Sequence, residues 1–245
     1  MAGHSKWANI RFRKGAQDAK RGKIFTKLIR EISVAARAGG ADESSNSRLR
    51  DAVTKALKAN MKRDTIDNAI KRGVGGLDGD NMVEMRYEGY GPGGIAILVD
   101  CLSDNKNRTV SEVRHAFTKH GGNLGTDGSV SYLFTKQGEI LLAPGQAEEK
   151  AMEVAIDAGA EDVVVEDGQI EVITAADNYH TILTCVQEAG YEVEQSQLSM
   201  RAQTMIPLDK ESAESLIKLI DMLEDLDDVQ EVYSNAEYPD SLFEA

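Results

Sequence analysis

The first 80 residues of the chain repeat apolar side chains at the spacing of an α-helix. Between Lys20 and Arg37 the apolar positions share one face and basic positions occupy the opposite arc, which predicts an amphipathic helix that ends at Gly39-Gly40. Two shorter periodic stretches predict a second helix, and a third that ends at Gly73. The apolar positions of these helices are Ile24, Phe25, Leu28, Ile29, Ile32, Leu49, Val53, Leu57, Ile66 and Ile70. We therefore expect a domain of three helices.

The pattern changes after a glycine-rich stretch at 73–79. This stretch holds four glycines in seven residues, which is typical of a flexible linker and predicts a domain boundary. Short apolar runs of strand length then alternate with helical periods. Two strands are predicted to flank the turn Gly91-Pro-Gly-Gly94 as a hairpin, and the capping-box sequence Thr109-Val-Ser-Glu112 is predicted to open the next helix. Two further strands are predicted at Val130–Phe134 and Glu139–Leu142.

Residues 139–200 spell the order β-α-β-β-α-β, which is that of a ferredoxin-like domain. The elements before and after this segment make a second α+β unit. We predict an α+β multidomain chain, with an N-terminal three-helix domain followed by two ferredoxin-like α+β domains, one inserted in the other. The predicted bounds are 1–80 for the basic helical domain, with a flexible tail over about 1–22, then 81–136 plus 204–240 for the outer α+β domain, and 137–203 for the inserted domain.

The net charge of −13 conceals a separation of charge along the chain. Residues 1–80 hold 18 Lys and Arg against 9 Asp and Glu, whereas the remainder holds 10 against 32. Because the acidic remainder repels phosphate, a polyanion would be held by the basic end alone. The charge pattern therefore predicts a nucleic-acid-binding region at the N-terminal end.

The first 37 residues carry ten basic side chains against two acidic ones, together with the single tryptophan of the chain. Separated cations neutralise successive phosphates, and an aromatic ring beside them stacks on an unpaired base. A solvated basic face and a membrane-surface helix are the alternatives, but the bundle core needs the apolar face that a membrane would bind. The candidate nucleic-acid-binding residues are Lys6, Trp7, Arg11, Arg13, Lys14, Lys20, Arg21, Lys23, Lys27 and Arg30.

A secondary candidate site lies in the loops on either side of the helix that follows the hairpin. Two basic residues stand beside the predicted start of that helix, where unpaired backbone N–H groups attract anions. The glycine-rich segment after the helix is a surface loop whose backbone could approach a partner closely. Loop and capping chemistry explains these residues equally well. The secondary anion or partner candidates are Lys106, Arg108, Gly121, Gly122 and Asn123.

The sequence holds none of the catalytic motifs GxxxxGK[ST], HExxH and GxSxG. Gly89–Gly94 matches GxGxxG, but a strand-like run follows it instead of a helix, which favours a hairpin over dinucleotide binding. His180 has no sequence neighbour that would make it a base, and Cys101 and Cys185 lie too far apart for a metal or redox motif. The acidic run Asp221–Glu231 lacks calcium-loop spacing and is predicted to be a solvated face. We expect no enzyme activity, no catalytic residue, no metal and no cofactor.

Several segments resemble the YebC/PmpR family and occur in the same order. The resemblance extends from Met1 to the acidic segment that ends at Tyr233, so it covers nearly the whole chain. The segments are the opening Met-Ala-Gly-His-Ser-Lys-Trp-Ala-Asn-Ile, Asp18-Ala-Lys-Arg-Gly-Lys-Ile-Phe-Thr-Lys27, Tyr87-Glu-Gly-Tyr-Gly-Pro-Gly-Gly94, Asn107-Arg-Thr and His120-Gly-Gly-Asn-Leu124.

The resemblance implies a cytoplasmic bacterial protein with a helical N-terminal domain and two nested α+β domains. It implies a DNA-binding transcriptional regulator. The family also includes mitochondrial translational activators, which implies as the alternative a ribosome-associated translation factor that binds ribosomal or transfer RNA and relieves stalling at consecutive prolines. The sequence leaves DNA and RNA open as the ligand. No apolar run is long enough for a membrane span, and we expect neither a membrane partner nor a small-molecule substrate.

Overall fold

The helical domain at the start of the chain has the three helices that the sequence predicts. The structure is a computed structural model that describes residues 21–75, 82–166, 168–239 and 242. The helices are α1 (Arg21–Gly39), α2 (Ser47–Lys58) and α3 (Arg63–Gly75). Most of the predicted apolar positions face one another in the bundle. The fully or nearly buried ones are Ile32, Leu49, Val53, Ile66 and Ile70.

Helix α2 buries Ala56 instead of the predicted Leu57. Leu57 is 47% exposed, whereas Ala56 is fully buried. At about 100° per residue, position 56 lies within about 20° of Leu49 around the helix axis, while position 57 is rotated about 80° away. The buried face of α2 is therefore rotated away from Leu57 and toward Ala52 and Ala56, compared with the face that the apolar spacing predicts.

Asn46 joins the end of α1 to the start of α2. Its side chain is buried, and its Oδ1 accepts a hydrogen bond from the backbone N–H of Leu49 at 3.0 Å, as an N-cap does. Its Nδ2 donates to the carbonyl oxygens of Ala35 at 2.8 Å and Gly40 at 2.9 Å. One side chain thus satisfies backbone groups at both helix ends and fixes the angle between the helices.

Helix α3 continues past its predicted end at Gly73 and finishes at Gly75. Gly73 is buried where α3 crosses α1, and a Cβ at this position would lie 2.3 Å from the carbonyl oxygen of Ser33. This glycine therefore permits close helix packing and does not end the helix. The predicted linker at 73–79 is helical at its start, and 76–79 lie outside the described residues.

The first segment of the outer α+β domain begins with the predicted hairpin. Strands β1 (Val83–Tyr90) and β2 (Ala96–Ser103) pair antiparallel across a 3₁₀ turn at Pro92–Gly94, in which Gly93 has a φ of +72°. The GxGxxG match is therefore confirmed as a turn between two strands. Helix α4 (Lys106–Lys119) and the short strand β3 (Asn123–Leu124) follow.

Helix α4 begins one turn before the predicted capping box. Asn105 is its N-cap, and the Oδ1 atom of Asn105 accepts from the backbone N–H of Arg108 at 3.0 Å. Thr109, which the sequence analysis expects as the cap, is buried inside the helix. The prediction was wrong because an asparagine four positions earlier satisfies the helix start equally well.

The inserted domain has the predicted ferredoxin-like order. Its elements are β4 (Phe134–Leu142), α5 (Glu148–Asp157), β5 (Asp162–Glu166), β6 (Gln169–Ala175), α6 (Tyr179–Glu188) and β7 (Val193–Ala202). The strands form an antiparallel sheet in the order β5-β6-β4-β7, and α5 and α6 pack on its core.

The strand predicted at Val130–Phe134 is wrong, because Ser131–Leu133 form a 3₁₀ turn, and the strand predicted at Glu139–Leu142 extends back to Phe134 as β4. Gly138 precedes the predicted start of the strand at Glu139, but it lies within β4, and a Cβ there would lie 2.5 Å from the ring of Tyr179. The glycine therefore allows α6 to pack closely on the sheet. Because β4 begins at Phe134, the predicted domain boundary at 136/137 falls inside a strand.

The chain returns to the outer domain with β8 (Ile206–Pro207), α7 (Lys210–Glu224), β9 (Val229–Ser234) and β10 (Ala236–Glu237). Strand β9 pairs with β2 and completes an antiparallel sheet of order β3-β1-β2-β9. The β1–β2 hairpin is central here, whereas the β5–β6 hairpin of the inserted domain lies at an edge. The outer domain thus differs in strand order from the β-α-β-β-α-β unit. The sequence did not predict this difference, because apolar periodicity predicts where strands lie but not which strands pair.

The two faces of the outer sheet are covered differently. Helices α4 and α7 pack on one face, where Ile97 meets Phe117 and Leu216. On the other face Leu98 packs in a cluster with Phe134, the first residue of β4. The outer sheet therefore holds the inserted domain on one face and presents the ends of α4 and α7 to the helical domain.

Candidate nucleic-acid interface

Helix α1 carries basic residues that contact the outer domain, while its apolar face packs on α2 and α3. Lys23 Nζ donates a hydrogen bond to the backbone carbonyl of Asp225 at 2.9 Å. Lys27 Nζ donates to the carbonyl of Glu224 at 2.6 Å. Two of the predicted nucleic-acid-binding residues are therefore bound within the chain.

Arg30 extends the same contact by one helical turn. Its Nη1 donates to the carbonyl of Asp227 at 2.6 Å and lies 3.3 Å from Oδ1 of Asp228. The structure thus brings Lys23, Lys27 and Arg30 together on residues 224–228, which we call the α7–β9 junction.

The end of α7 explains why cations collect at the junction. The last carbonyl groups of a helix lack partners within the helix and carry about half a negative charge. Helix α7 has no basic residue in its own last turn, and Asp225 is its C-cap. Helix α1 supplies the cations that α7 lacks, so the docking of the two helices follows from the charges that their sequences carry.

Lys27 is the most enclosed of the three cations. Burial lowers the pKa of Lys27, and the neighbouring carboxylates of Glu224, Glu231, Asp225 and Asp227 oppose that shift. The ammonium group has therefore lost part of its hydration, and the concentrated negative charge offsets only part of that loss.

Asp228 is buried at the centre of the junction's hydrogen bonds. Its Oδ2 accepts from Arg108 Nη2 at 2.8 Å, from Ser103 Oγ at 2.9 Å and from Thr109 Oγ1 at 2.9 Å. Burial acts to raise the pKa of Asp228, but these donors outweigh it and hold the pKa below its ordinary value of 3.8. The prediction of a solvated face over Asp221–Glu231 is therefore wrong for Asp228, because distant donors converge on its carboxylate.

The secondary candidate site is not assembled in the structure. Arg108 already has two anionic partners within the chain, Asp228 and Asp104, whose Oδ1 lies 2.9 Å from Nη2. Lys106 is exposed beside it at the start of α4. Residues 121–123 follow the opposite end of this helix, which at about 1.5 Å per residue is about 20 Å long. The two halves of the predicted site therefore lie far apart.

Packing accounts for the glycines after α4. Gly121 has a φ of +77°, which a side chain would strain. A Cβ at Gly122 would lie 2.5 Å from the carbonyl oxygen of Tyr90, and Asn123 pairs with Tyr90 across the β3–β1 ladder. These residues let the chain turn back against β1.

Glu88 is a structural residue that the sequence analysis missed. Its buried carboxylate accepts hydrogen bonds from the backbone N–H groups of Gly128, Val130 and Ser131, each at 2.8 Å. Burial acts to raise the pKa of Glu88, but the three donors prevail and the pKa lies below its ordinary value. A buried acid in a strand is the signal that could have found it, because such an acid needs donors nearby.

Helix α2 also contacts the rest of the chain through charged side chains. Lys55 Nζ lies 2.9 Å from Oε1 of Glu231 on β9. Arg48 Nε lies 2.7 Å from Oε1 of Glu31, and the same guanidinium donates to Glu84 on β1. These contacts leave Arg48 and Lys55 paired within the chain.

His180 lies against the helical domain and has a neighbour that the sequence did not reveal. Its Nε2 is 3.1 Å from Oδ1 of Asp51 on α2. Burial lowers the pKa of His180 and raises that of Asp51. The expectation that nothing stands beside His180 was wrong, because the partner comes from a residue 129 positions earlier in the chain.

Most of the candidate nucleic-acid-binding residues fall outside the part of the chain that the structure describes. Lys6, Trp7, Arg11, Arg13, Lys14 and Lys20 lie outside the described residues, as does the side chain of Arg21. Among described residues of the helical domain, Lys62, Lys71 and Arg72 are exposed and their side chains make no hydrogen bond or ion pair.

A cleft of about 860 Å³ is lined by residues of α1, of the junction and of the start of α4. Along α1 its wall presents Lys23, Arg30 and Arg37, each seven residues from the next. Among the described residues, five basic and five acidic side chains line the cleft. The charged lining residues are Lys23, Arg30, Arg37, Arg72, Arg108, Asp104, Glu112, Asp225, Asp227 and Asp228.

Within residues 21–75, 82–166, 168–239 and 242, no three His, Cys, Asp or Glu side chains are grouped so as to hold a metal ion. In the same part of the chain, none of the helices has the length and apolar character needed to cross a membrane.

Proteins similar to this chain match it over nine tenths or more of its length. A probable transcriptional regulatory protein of Legionella pneumophila is 79% identical over 245 residues, which cover 100% of this chain and 99% of that protein. A probable transcriptional regulatory protein of Methylococcus capsulatus is 62% identical, with 99% and 98% covered. The crystal structure of the conserved hypothetical protein Aq1575 from Aquifex aeolicus superimposes with a TM-score of 0.79 at 46% identity, covering 91% of this chain and 92% of that one.

Two family models divide the chain between them. The TACO1/YebC protein N-terminal domain matches residues 5–76, and the TACO1/YebC second and third domain matches residues 82–236. The two matches meet at the glycine-rich segment that the sequence analysis takes as a boundary. With the fold and the relatives in agreement, this chain belongs to the YebC/PmpR family.

Proposed function

We propose that this chain is a non-enzymatic regulator of gene expression that binds nucleic acid through its N-terminal helical domain, as a DNA-binding transcriptional regulator. The separation of charge carries the proposal, because residues 1–80 hold 18 basic side chains against 9 acidic ones and the remainder holds 10 against 32. A phosphate backbone is attracted by the first part and repelled by the second. The relatives named as probable transcriptional regulatory proteins support the same role.

The described part of the helical domain offers cations for such contacts on two surfaces. Lys62, Lys71 and Arg72 are exposed on α3 and the turn before it. Lys23, Lys27 and Arg30 form a stripe along α1. Both sets are suited to phosphate oxygens, since lysine and arginine bind phosphates without reading the base sequence.

A second candidate function is that of a ribosome-associated translation factor that binds ribosomal or transfer RNA and relieves stalling. The pairing of Arg48 and Lys55 on α2 and of Arg63 at the start of α3 favours it. Reading base edges in a DNA groove requires side chains that project freely from a helix. Instead Arg48 pairs with Glu31 at 2.7 Å and Lys55 pairs with Glu231 at 2.9 Å. Arg63 pairs with Glu43 at 2.6 Å and with Asp67 at 3.0 Å. Backbone contacts on a folded RNA need no such reading helix.

Sedimentation distinguishes the two functions. A DNase-treated lysate is run through sucrose gradients at low and high salt, with the full chain and with a variant that lacks residues 1–22. If the full chain travels with ribosomes at low salt and the deletion does not, translation is the primary role. If both stay at the top of the gradient, the ribosome candidate is wrong, and duplex DNA from promoter regions is the ligand to titrate next.

A further inference from the structure

The cations proposed to hold nucleic acid are engaged by an acidic part of the same chain. Lys23, Lys27 and Arg30 stand at positions i, i+4 and i+7 of α1, which share one face of a helix. Each donates to a backbone carbonyl of the α7–β9 junction, at 2.6 to 2.9 Å. The stripe spans about 10 Å along the helix axis, at about 1.5 Å per residue.

The junction presents oxygen acceptors and negative charge to those cations, as a short run of phosphates does. Its carbonyl oxygens at residues 224, 225 and 227 lie at the negative end of a helix dipole. The carboxylates of Glu224, Asp225 and Asp227 add negative charge close to Lys27. A nucleic acid backbone also presents oxygen acceptors and negative charge to cations, so the junction and a nucleic acid would compete for the same three side chains.

The arrangement in which α1 is docked on the junction is poorly matched to a polyanion. The cleft between α1 and the junction is lined by as many acidic as basic side chains. Phosphates that enter it meet Asp225 and Asp227 together with Lys23 and Arg30. The hydrogen bonds from Lys23 to the carbonyl of Asp225 and from Arg30 to the carbonyl of Asp227 are exposed to solvent. Charged contacts at the surface are individually weak, so a ligand is able to displace these two.

We propose that the contact between α1 and the α7–β9 junction is autoinhibitory: nucleic acid binds Lys23, Lys27 and Arg30 after displacing residues 224–228. This inference rests on the proposed nucleic-acid function. The observed arrangement is then the form without ligand, and its stability reduces the apparent affinity by the fraction of molecules in which α1 is undocked. Asp228 remains with Arg108 in both forms, because its other donors belong to the outer domain.

The test neutralises the junction without touching the proposed binding residues. The variant E224Q/D225N/D227N removes three negative charges and keeps the backbone carbonyls. The matched control E149Q/E153Q/D157N removes three charges from the exposed face of α5 in the inserted domain. Affinity for a fluorescent single-stranded RNA and for a duplex DNA is measured by anisotropy at several salt concentrations. We expect the junction variant to bind about fivefold more tightly than the control.

A cross-linking readout reports the displacement itself. A carbodiimide joins lysine amines to nearby carboxylates, and in the wild-type chain it should link α1 to the junction, most readily Lys27 to Glu224. Addition of the RNA or DNA should suppress this link in proportion to the fraction bound. Mass spectrometry of the digested protein measures it.

The outcomes separate this inference from the function on which it rests. If the wild-type chain binds and the junction variant matches the control, with the cross-link unchanged by ligand, the autoinhibitory contact is refuted and the proposed function stands. If neither the wild-type chain nor either variant binds RNA or DNA, the proposed function fails and the inference fails with it. Tighter binding by the junction variant together with loss of the cross-link supports both.

Discussion

Arg108 and Asp228 lie 120 positions apart in the sequence, and the guanidinium of the first holds the carboxylate of the second, with Nη2 2.8 Å and Nε 3.1 Å from Oδ2. This pair connects the start of α4 to the loop that enters β9. Arg30 of the helical domain approaches the same carboxylate at 3.3 Å. Asp228 therefore ties the two segments of the outer domain together beneath the docked helix α1.

Replacement of Asp228 by Asn should destabilise the fold. The amide keeps the size of the side chain but loses the charge-assisted bonds of Arg108 and leaves buried donors poorly paired. We expect the free energy of unfolding to fall by about 2–4 kcal/mol in urea titrations. The neighbouring exposed Asp227→Asn should change it by less than about 0.5 kcal/mol. Equal effects of the two substitutions would contradict the role given to Asp228.

Acid should weaken the fold through Asp228 and Glu88. Both carboxyl groups have pKa values below their ordinary values of 3.8 and 4.5 in the folded chain. A depressed folded pKa means that the unfolded state takes up protons first, so the stabilisation is complete above the ordinary values and is lost as the pH falls through the folded ones. Urea titrations from about pH 5 to about pH 3 should show a smaller loss of stability in D228N than in the wild-type chain. Parallel curves for the two proteins would be evidence against this.

Glu88→Gln should loosen the loop at 128–131. A glutamine presents one acceptor oxygen and an NH₂ group to three backbone donors, so at least one donor is left without a partner. We expect a loss of about 1–3 kcal/mol in the free energy of unfolding. Hydrogen exchange measured by mass spectrometry should accelerate at Gly128, Val130 and Ser131 before it changes in the helical domain. Exchange that stays at wild-type rates in this loop would show that Glu88 does not hold it.

Gly73→Ala should destabilise the helical domain although alanine is the better helix former. Helix propensity favours alanine by about 1 kcal/mol, but its Cβ would lie 2.3 Å from the carbonyl of Ser33, and overpacking costs about 1–3 kcal/mol. Gly22→Ala on α1 is the control, since no atom lies within 4 Å of its Cβ position. Thermal unfolding should show a lower Tm for G73A and an unchanged or higher Tm for G22A. A rise in Tm for G73A would mean that the helices do not cross as closely as the structure has them.

Local periodicity predicted the elements of this fold well, and long-range contacts account for what it missed. The apolar spacing around Ile32 and Ile66 identified the three helices, and the alternation of strands and helices identified the inserted ferredoxin-like domain. Glycine was the least informative residue. Gly73 was expected at the start of a linker and Gly138 between two strands, but both serve close packing between elements distant in sequence.

For the candidate site, too, the sequence indicated the region, and long-range contacts decided its arrangement. Charge counting along the chain pointed to α1, but it could not show that Lys23, Lys27 and Arg30 contact residues about 200 positions away. The same limitation hid the partners of Asp228 and His180, because each partner comes from another domain or segment. A sequence shows which side chains need partners, and the fold decides which partners they receive.

The central claim is that nucleic acid binds through the basic N-terminal region, and a salt titration with purified protein tests it most directly. The full chain and a variant lacking residues 1–22 are titrated against a single-stranded RNA and a duplex DNA over a series of salt concentrations. We predict that the full chain binds with an affinity that falls steeply as salt rises, and that the deletion variant keeps its fold by circular dichroism but loses binding. Equal affinity of the two proteins, or no binding by the full chain at low salt, would contradict the claim.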